Sequence, residues 1–311
     1  MLELKDKWVW DFWLCKDGNE HHIFYLQAPK SLGDERLRHF NATIGHAKSS
    51  DLKNWTILPD ALGPGKAGEW DDQATWTGCT FKHQNRWYLF YTGINSNEKG
   101  KVQRVGVAVS DDLLHWSKHE ANPIMESDSR WYQQKDDVEW HDQAWRDPWV
   151  FRYEGQFHAF ITARSIQGER DGRGVIAHAV SDDLLNWSVQ APVTEPGDFG
   201  QLEVPQLIEV KSKPYLIFST DKFSHSQRLL GNIKSPPITG TACYAGETFL
   251  GPFMEVDTPW LFGDAAGTLY SGKFMGADAR GWTLMAFENY GEDGEFIGLI
   301  ADPFIVSPPK Y

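Results

Sequence analysis

The sequence predicts an all-β fold, a five-bladed β-propeller, on three observations: a recurring strand-and-turn segment, five copies of an aromatic-rich strand, and almost no helical patterning. The recurring segment is IGHAKSSDLKNW at 44–55, VGVAVSDDLLHW at 105–116 and IAHAVSDDLLNW at 176–187. Each copy reads as a short alternating strand, a turn in which Ser and Asp side chains take backbone amides, and a Trp that opens the next strand. An apolar, aromatic-rich strand precedes each copy: HIFYLQA from His22, WYLFYT from Trp87 and FHAFITA from Phe157. Two more such strands, PYLIFST from Pro214 and WTLMAF from Trp282, lead into diverged continuations. A period of about 60 to 70 residues holding several short strands is what a four-stranded blade requires, and five such units fill the chain. Helix-period apolar spacing is never sustained, because Gly, Pro and Asn interrupt throughout. With no low-complexity linker to divide it, the chain is expected to form a single domain over residues 1–311.

Composition narrows the partners. A formal charge of −13 opposes binding to phosphate backbones, so a nucleic-acid partner is not expected. No apolar run approaches a membrane span and the N-terminus has no signal-peptide pattern, so a cytoplasmic protein without a membrane partner is expected. Cys15, Cys79 and Cys243 are too widely spaced for a zinc pattern or a disulfide framework. His46, His158 and His178 sit on or beside strands, where a hydrogen-bonded structural role is the ordinary one, so neither a metal nor another cofactor is expected. The acids of KDDVEWHD at 135–142 read as a solvated loop near the funnel mouth. Oligomeric state is left open.

In a propeller the innermost strand of each blade lines the central channel and directly precedes the aromatic strand. Stepping back one hairpin from the five aromatic strands lands on Asp11, Trp76-Thr77, Asp147, Glu203 and Ser271-Gly272. Three acids are therefore expected at one phase of the repeat, facing a common funnel, with Arg146 as counter-charge. Like charges gathered there repel one another and split in pKa. Trp10 and Trp13 bracket Asp11, and Trp76 stands in the second blade; aromatic faces beside carboxylates suit a small carbohydrate. Glycoside cleavage needs one group to protonate the leaving oxygen and another to attack or stabilise the oxocarbenium centre, which two carboxylates supply.

The same residues carry a family resemblance. HHIFYLQAP (21–29), GHAKSSDLKNW (45–55), TWTGCT (75–80), RDP (146–148) and EVP (203–205) resemble, in order, motifs of glycoside hydrolase families 32 and 68, the five-bladed fructosidases and fructosyltransferases of clan J. The resemblance implies a retaining β-fructofuranosidase acting on sucrose or short fructans, with fructosyl transfer as a variant outcome. It implies Asp11 as nucleophile, Glu203 as acid/base and Asp147 as transition-state stabiliser. Trp10, Trp13, Gln27, Trp76, Thr77 and Arg146 would then bind the sugar. The chain departs from the pattern at VWDFW (9–13), closer to the W-D-S-W of family 68 than to the N-D-P-N-G of family 32. Only about 25 residues follow the fifth blade, so the C-terminal β-sandwich typical of family 32 is expected to be absent. Two alternatives stand beside this reading: an inverting furanosidase or xylosidase of family 43 type, and a sugar-binding propeller without catalysis.

Overall fold

The computed structural model describes residues 1–135 and 140–310. Five antiparallel sheets follow one another along the chain. Blade one holds β1 (Lys7–Asp17), β2 (Glu20–Pro29), β3 (Thr43–Ser49) and β4 (Thr56–Ile57). Blade two holds β5 (Ala74–His83), β6 (Arg86–Ile94), β7 (Arg104–Ser110) and β8 (Ser117–Lys118). Blade three holds β9 (Trp145–Tyr153), β10 (Gln156–Arg164), β11 (Gly174–Ser181) and β12 (Trp187–Gln190). Blade four holds β13 (Glu203–Val210), β14 (Lys213–Thr220), β15 (Thr239–Gly246) and β16 (Phe253–Asp264). In blade five, β17 (Leu269–Asp278) pairs with β18 (Gly281–Tyr290), whose other edge is shared by β19 (Phe296–Ile300) and β20 (Phe304–Val306). This is the predicted five-bladed propeller, and the described residues contain no β-sandwich.

The aromatic strands are the second strand of every blade, and their near-continuous burial follows from packing between neighbouring blades on both faces. The core is accordingly a set of inter-blade layers. Val105 and Val107 of blade two pack with Phe157, Ala159 and Ile161 of blade three, and Phe160 of blade three with Leu216 and Phe218 of blade four. A further cluster joins Phe287 and Ile300 of blade five to Val9 and Phe24 of blade one. The ring is fastened by Leu2, which exchanges backbone hydrogen bonds with Ile300 at 2.8 and 2.9 Å, so the first residues of the chain pair with the last blade.

The repeated Ser-x-Asp-Leu turn forms as its chemistry requires. In the first copy Asp51 Oδ1 accepts the amides of Lys53 and Asn54, Ser49 Oγ accepts those of Asp51 and Leu52, and Leu52 takes φ +62°. Leu113 and Leu184 adopt the same left-handed conformation at φ +65° and +70°. No described helix is long and apolar enough to cross a membrane.

Candidate active site

The inner strands β1, β5, β9, β13 and β17 surround one cavity of about 910 Å³. Each is interrupted at the same height. Trp10, Trp76, Arg146, Glu203 and Tyr270 pair with Leu26, Thr92, Thr162, Ser219 and Phe287 of their blade neighbours, and immediately afterwards every ladder slips. The first residue inside each slip is Asp11, Thr77, Asp147, Val204 or Ser271. A β-bulge re-aims the side chain that alternation would send to the opposite face, so two consecutive residues per blade can face the channel.

Two stacked rows result, which corrects the expectation that the three acids share one phase. Asp11 and Asp147 belong to the bulge row, whereas Glu203 lies one residue ahead, in the row of Arg146 and Tyr270. At each slip the inner strand carries one residue more than its partner, and a count back from the aromatic strand does not tell on which side of that extra residue an acid falls.

Glu203 is held at both oxygens: Arg146 Nη2 donates to Oε1 at 2.6 Å and Tyr270 Oη to Oε2 at 2.5 Å. Arg146, 6% exposed, is fixed in turn by Gln201 and by Gln103 Oε1 at 3.1 Å, with Asp142 Oδ2 at 3.5 Å and Asp147 Oδ2 at 3.7 Å. Burial works against the Arg146 charge, but Glu203, Asp142 and Asp147 more than offset it and raise its pKa above the ordinary arginine value.

Asp147 accepts from Thr162 Oγ1 and from the Val204 amide, both at 3.1 Å, while its own amide donates to Thr92 Oγ1. Asp147, Val204 and Ser271 all take left-handed backbone, at φ +58°, +49° and +56°. For β-branched Val204 this is a strained conformation, retained where the surroundings over-determine it: its amide caps Asp147 and its carbonyl receives Lys273 Nζ at 2.7 Å.

Asp11 is the least satisfied of the three acids. Thr77 Oγ1 reaches its Oδ2 at a long 3.4 Å, and Oδ1 is buried without a hydrogen-bond partner. Burial, then repulsion by Asp147 and Glu203, push its carboxyl up to about 7, with Lys273 opposing. Burial also raises Asp147, to about 6, with Arg146 pulling it down and Glu203 pushing it up.

Seven of the nine sequence-predicted residues line this cavity: Trp10, Asp11, Trp76, Thr77, Arg146, Asp147 and Glu203. Gln27 does not, because strand alternation turns its neighbour Leu26 inward and leaves Gln27, 1% exposed, beside Thr43. Trp13 lies beyond the bulge, stacked on Phe24 at 5.7 Å with Nε1 donating to Thr80 Oγ1, on the far side of the acids. The sequence reading missed Tyr270, Arg38, His39 and Asn289, which line the cavity too. Tyr270 was detectable as the fifth-blade counterpart of Arg146; Arg38 and His39 come from the short 3-10 helix Glu35–Asn41, which carries no repeat signal. Among the considered loop acids, residues 136–139 lie outside the described residues.

Four histidines form two equivalent pairs, His22 with His46 and His158 with His178, each with ring nitrogens 2.9 Å apart. Among the described residues no group of three or more His, Cys, Asp or Glu is arranged to hold a metal. Cys79 is buried, its Sγ accepting the Val150 amide at 3.2 Å, so it serves packing.

A family model described as the glycosyl hydrolases family 32 N-terminal domain matches residues 12–277. A sucrose-6-phosphate hydrolase of Bacillus subtilis is 28% identical over 207 residues, 64% of this chain and 38% of that protein. A fructan 6-exohydrolase of Beta vulgaris is 31% identical over 175 residues, 54% of this chain and 26% of that protein. The chain thus spans well under half the length of these curated relatives. Among solved structures, an inulosucrase from Halalkalicoccus jeotgali bound to kestose superposes with a TM-score of 0.80 at 18% identity, covering 99% of this chain and 88% of that one, which shows the shared fold.

Proposed function

The chain belongs to glycosyl hydrolase family 32, and from that premise we propose a retaining glycoside hydrolase that cleaves β-D-fructofuranosides, sucrose or short fructo-oligosaccharides, with fructosyl transfer to a sugar acceptor as a second outcome. The observation that carries this reading is the shared cavity in which Glu203, gripped at both oxygens, faces an under-satisfied Asp11 across Asp147 and Arg146.

In the first step an Asp11 carboxylate oxygen bonds to the anomeric carbon of the fructosyl ring as the bond to the leaving oxygen breaks, and Glu203 gives that oxygen its proton. In the second, Glu203 takes a proton from water or from an acceptor hydroxyl, whose oxygen attacks the same carbon and releases Asp11. Asp147, fixed by Thr162 and Val204, accepts from ring hydroxyls and stabilises the oxocarbenium-like transition state. Arg146 keeps Glu203 in place, and Trp10, Trp76 and Thr77 shape the pocket for the ring. Trp13 and Gln27 have packing roles in this reading, and residues 1–311 act as one catalytic domain. The proposal keeps the cytoplasmic location expected from the sequence.

Phosphorylated sucrose belongs among the candidate substrates, because Lys99, Lys101 and Lys222 line the same cavity and a curated relative carries that substrate in its name. The test is fructose release from sucrose, sucrose 6-phosphate, inulobiose and levanbiose, with Glu203→Gln used to trap a fructosyl adduct on Asp11. Release with an adduct on Asp11 supports the proposal. No turnover of any β-fructofuranoside would sink it, and inversion at the anomeric carbon would move it to the family 43 alternative.

A further inference from the structure

One buried charge has no part in the chemistry above. Lys273, 4% exposed, stands on β17 just beyond the bulge that contains Ser271. It borders a second hollow of about 220 Å³ together with Trp13, Cys15, Trp149 and Gln206, residues absent from the lining of the main cavity. A buried ammonium is costly unless opposite charge or hydrogen bonds compensate it. Among the described residues no carboxylate lies within ion-pair distance of Nζ, and its hydrogen bond goes to the Val204 carbonyl at 2.7 Å. Val204 is the residue whose amide caps Asp147, and it carries the strained backbone of the bulge row.

We propose that Lys273 is a positioning residue for the acids above it: from the far side of the bulge row it pins the Val204 turn, whose amide caps Asp147, and supplies positive charge that opposes the protonation of Asp11. The inference rests on the reading of Asp11 as nucleophile, since only an ionised Asp11 can attack. The charges facing Asp11 are Asp147 from β9, Glu203 from β13 and Lys273 from β17, with Arg38 and Tyr270 also within its field. Asp147 and Glu203 repel it, which leaves Lys273 as the cation that opposes them most. Lys273 itself faces Asp147, Asp11 and Cys79; burial lowers its ammonium to about 8 while these three groups pull it back up. Arg146 cannot replace it, because that guanidinium is already held by Glu203, Gln103 and Gln201.

The experiment compares the wild type with Lys273→Met, which keeps much of the length and removes the charge, and with Lys273→Arg, which restores charge. Aspartate carboxyl carbons labelled with ¹³C are titrated by NMR without substrate, and kcat/KM on sucrose is followed against pH. Removing the ammonium should raise the Asp11 midpoint by about one unit or more. The acid limb of kcat/KM should move up with it, and arginine should bring both back. A folded Lys273→Met protein with an unmoved Asp11 midpoint overturns the proposal. If that variant does not fold, labelled lysine in the wild type and in Asp11→Asn decides: the Lys273 midpoint must fall when Asp11 loses its charge, and an unchanged midpoint overturns the proposal. The titrations need no turnover, so a wild type that releases no fructose would defeat only the functional reading.

Discussion

Arg146 Nη2 meets Glu203 Oε1 at 2.6 Å because the two residues occupy the same row of adjacent inner strands, each just ahead of its bulge. The fork is satisfied on several sides at once, by Glu203, Gln201 and Gln103, with Asp142 nearby. Lysine has a single point of attachment and cannot reproduce that geometry. Arg146→Lys is expected to lower kcat/KM by about 100-fold, equivalent to about 2.7 kcal/mol of transition-state stabilisation. Steady-state kinetics on the best fructofuranoside substrate checks it; a loss below about threefold would show that Glu203 does not depend on the fork.

Tyr270 holds the other oxygen of Glu203 and fills its place with an aromatic ring 6.0 Å from Phe287. Tyr270→Phe keeps the ring packing and removes only the hydroxyl. A hydrogen bond to a charged group contributes about 1.5–3 kcal/mol, so kcat should fall about 10- to 100-fold. The melting temperature should stay close to that of the wild type, because the ring contact survives. A drop in melting temperature with unchanged kcat would reverse the assignment, making Tyr270 a packing residue.

Asp11 sets stability against activity. Its carboxyl stands near 7 in the folded protein against an ordinary 3.8, so across that window the folded state binds the extra proton. Stability from this group therefore falls as pH rises from about 4 to 7, and the full penalty remains above 7. Asp11→Asn removes the penalty: it should melt higher than the wild type at pH 8, by at least about 1 kcal/mol after allowance for the solvent the open funnel admits. At pH 4 the two should melt alike. Activity should be lost by a factor of about 1,000 or more, since the amide cannot form the glycosyl bond. Thermal melts at the two pH values, with matched assays, test both halves.

The fold was legible because its instructions are local and repeated. The Ser49, Asp51 and Leu52 turn is written in its side chains, and its recurrence at Ser110 and Ser181 marks successive blades. That Asp11, Asp147 and Glu203 meet at one cavity was legible as well, since each sits one hairpin before an aromatic strand. Their heights were not. A bulge adds one residue without altering composition, so the sequence put Glu203 level with Asp147 and passed over Tyr270 in favour of Ser271. Gln27 misled for a related reason: neighbouring residues of a strand face opposite sides, and a shift of one exchanges Leu26 for Gln27. Lys273 escaped because its significance lies in the distant charges above it, which no local pattern encodes.

The histidine pairs give an opposite pH dependence, separable from that of the acids. His46 touches His22 and stacks on Phe24 at 4.3 Å; His178 touches His158 at an equivalent place in blade three. Burial first, then the partner imidazole, lowers His46 to about 3 and His178 to about 4, from an ordinary 6.5. In that window the unfolded chain binds more protons, so stability from the pairs is present above about 6.5 and is lost as pH falls towards 4. His46→Gln combined with His178→Gln keeps a hydrogen-bonding group at each site and removes the titration. The double variant should melt below the wild type at pH 7.5, through lost packing on Phe24 and Phe160, and should lose less stability between pH 6.5 and 4.5. Urea unfolding at the two pH values reads this directly. Parallel losses in the double variant and the wild type would show that acid unfolding arises elsewhere.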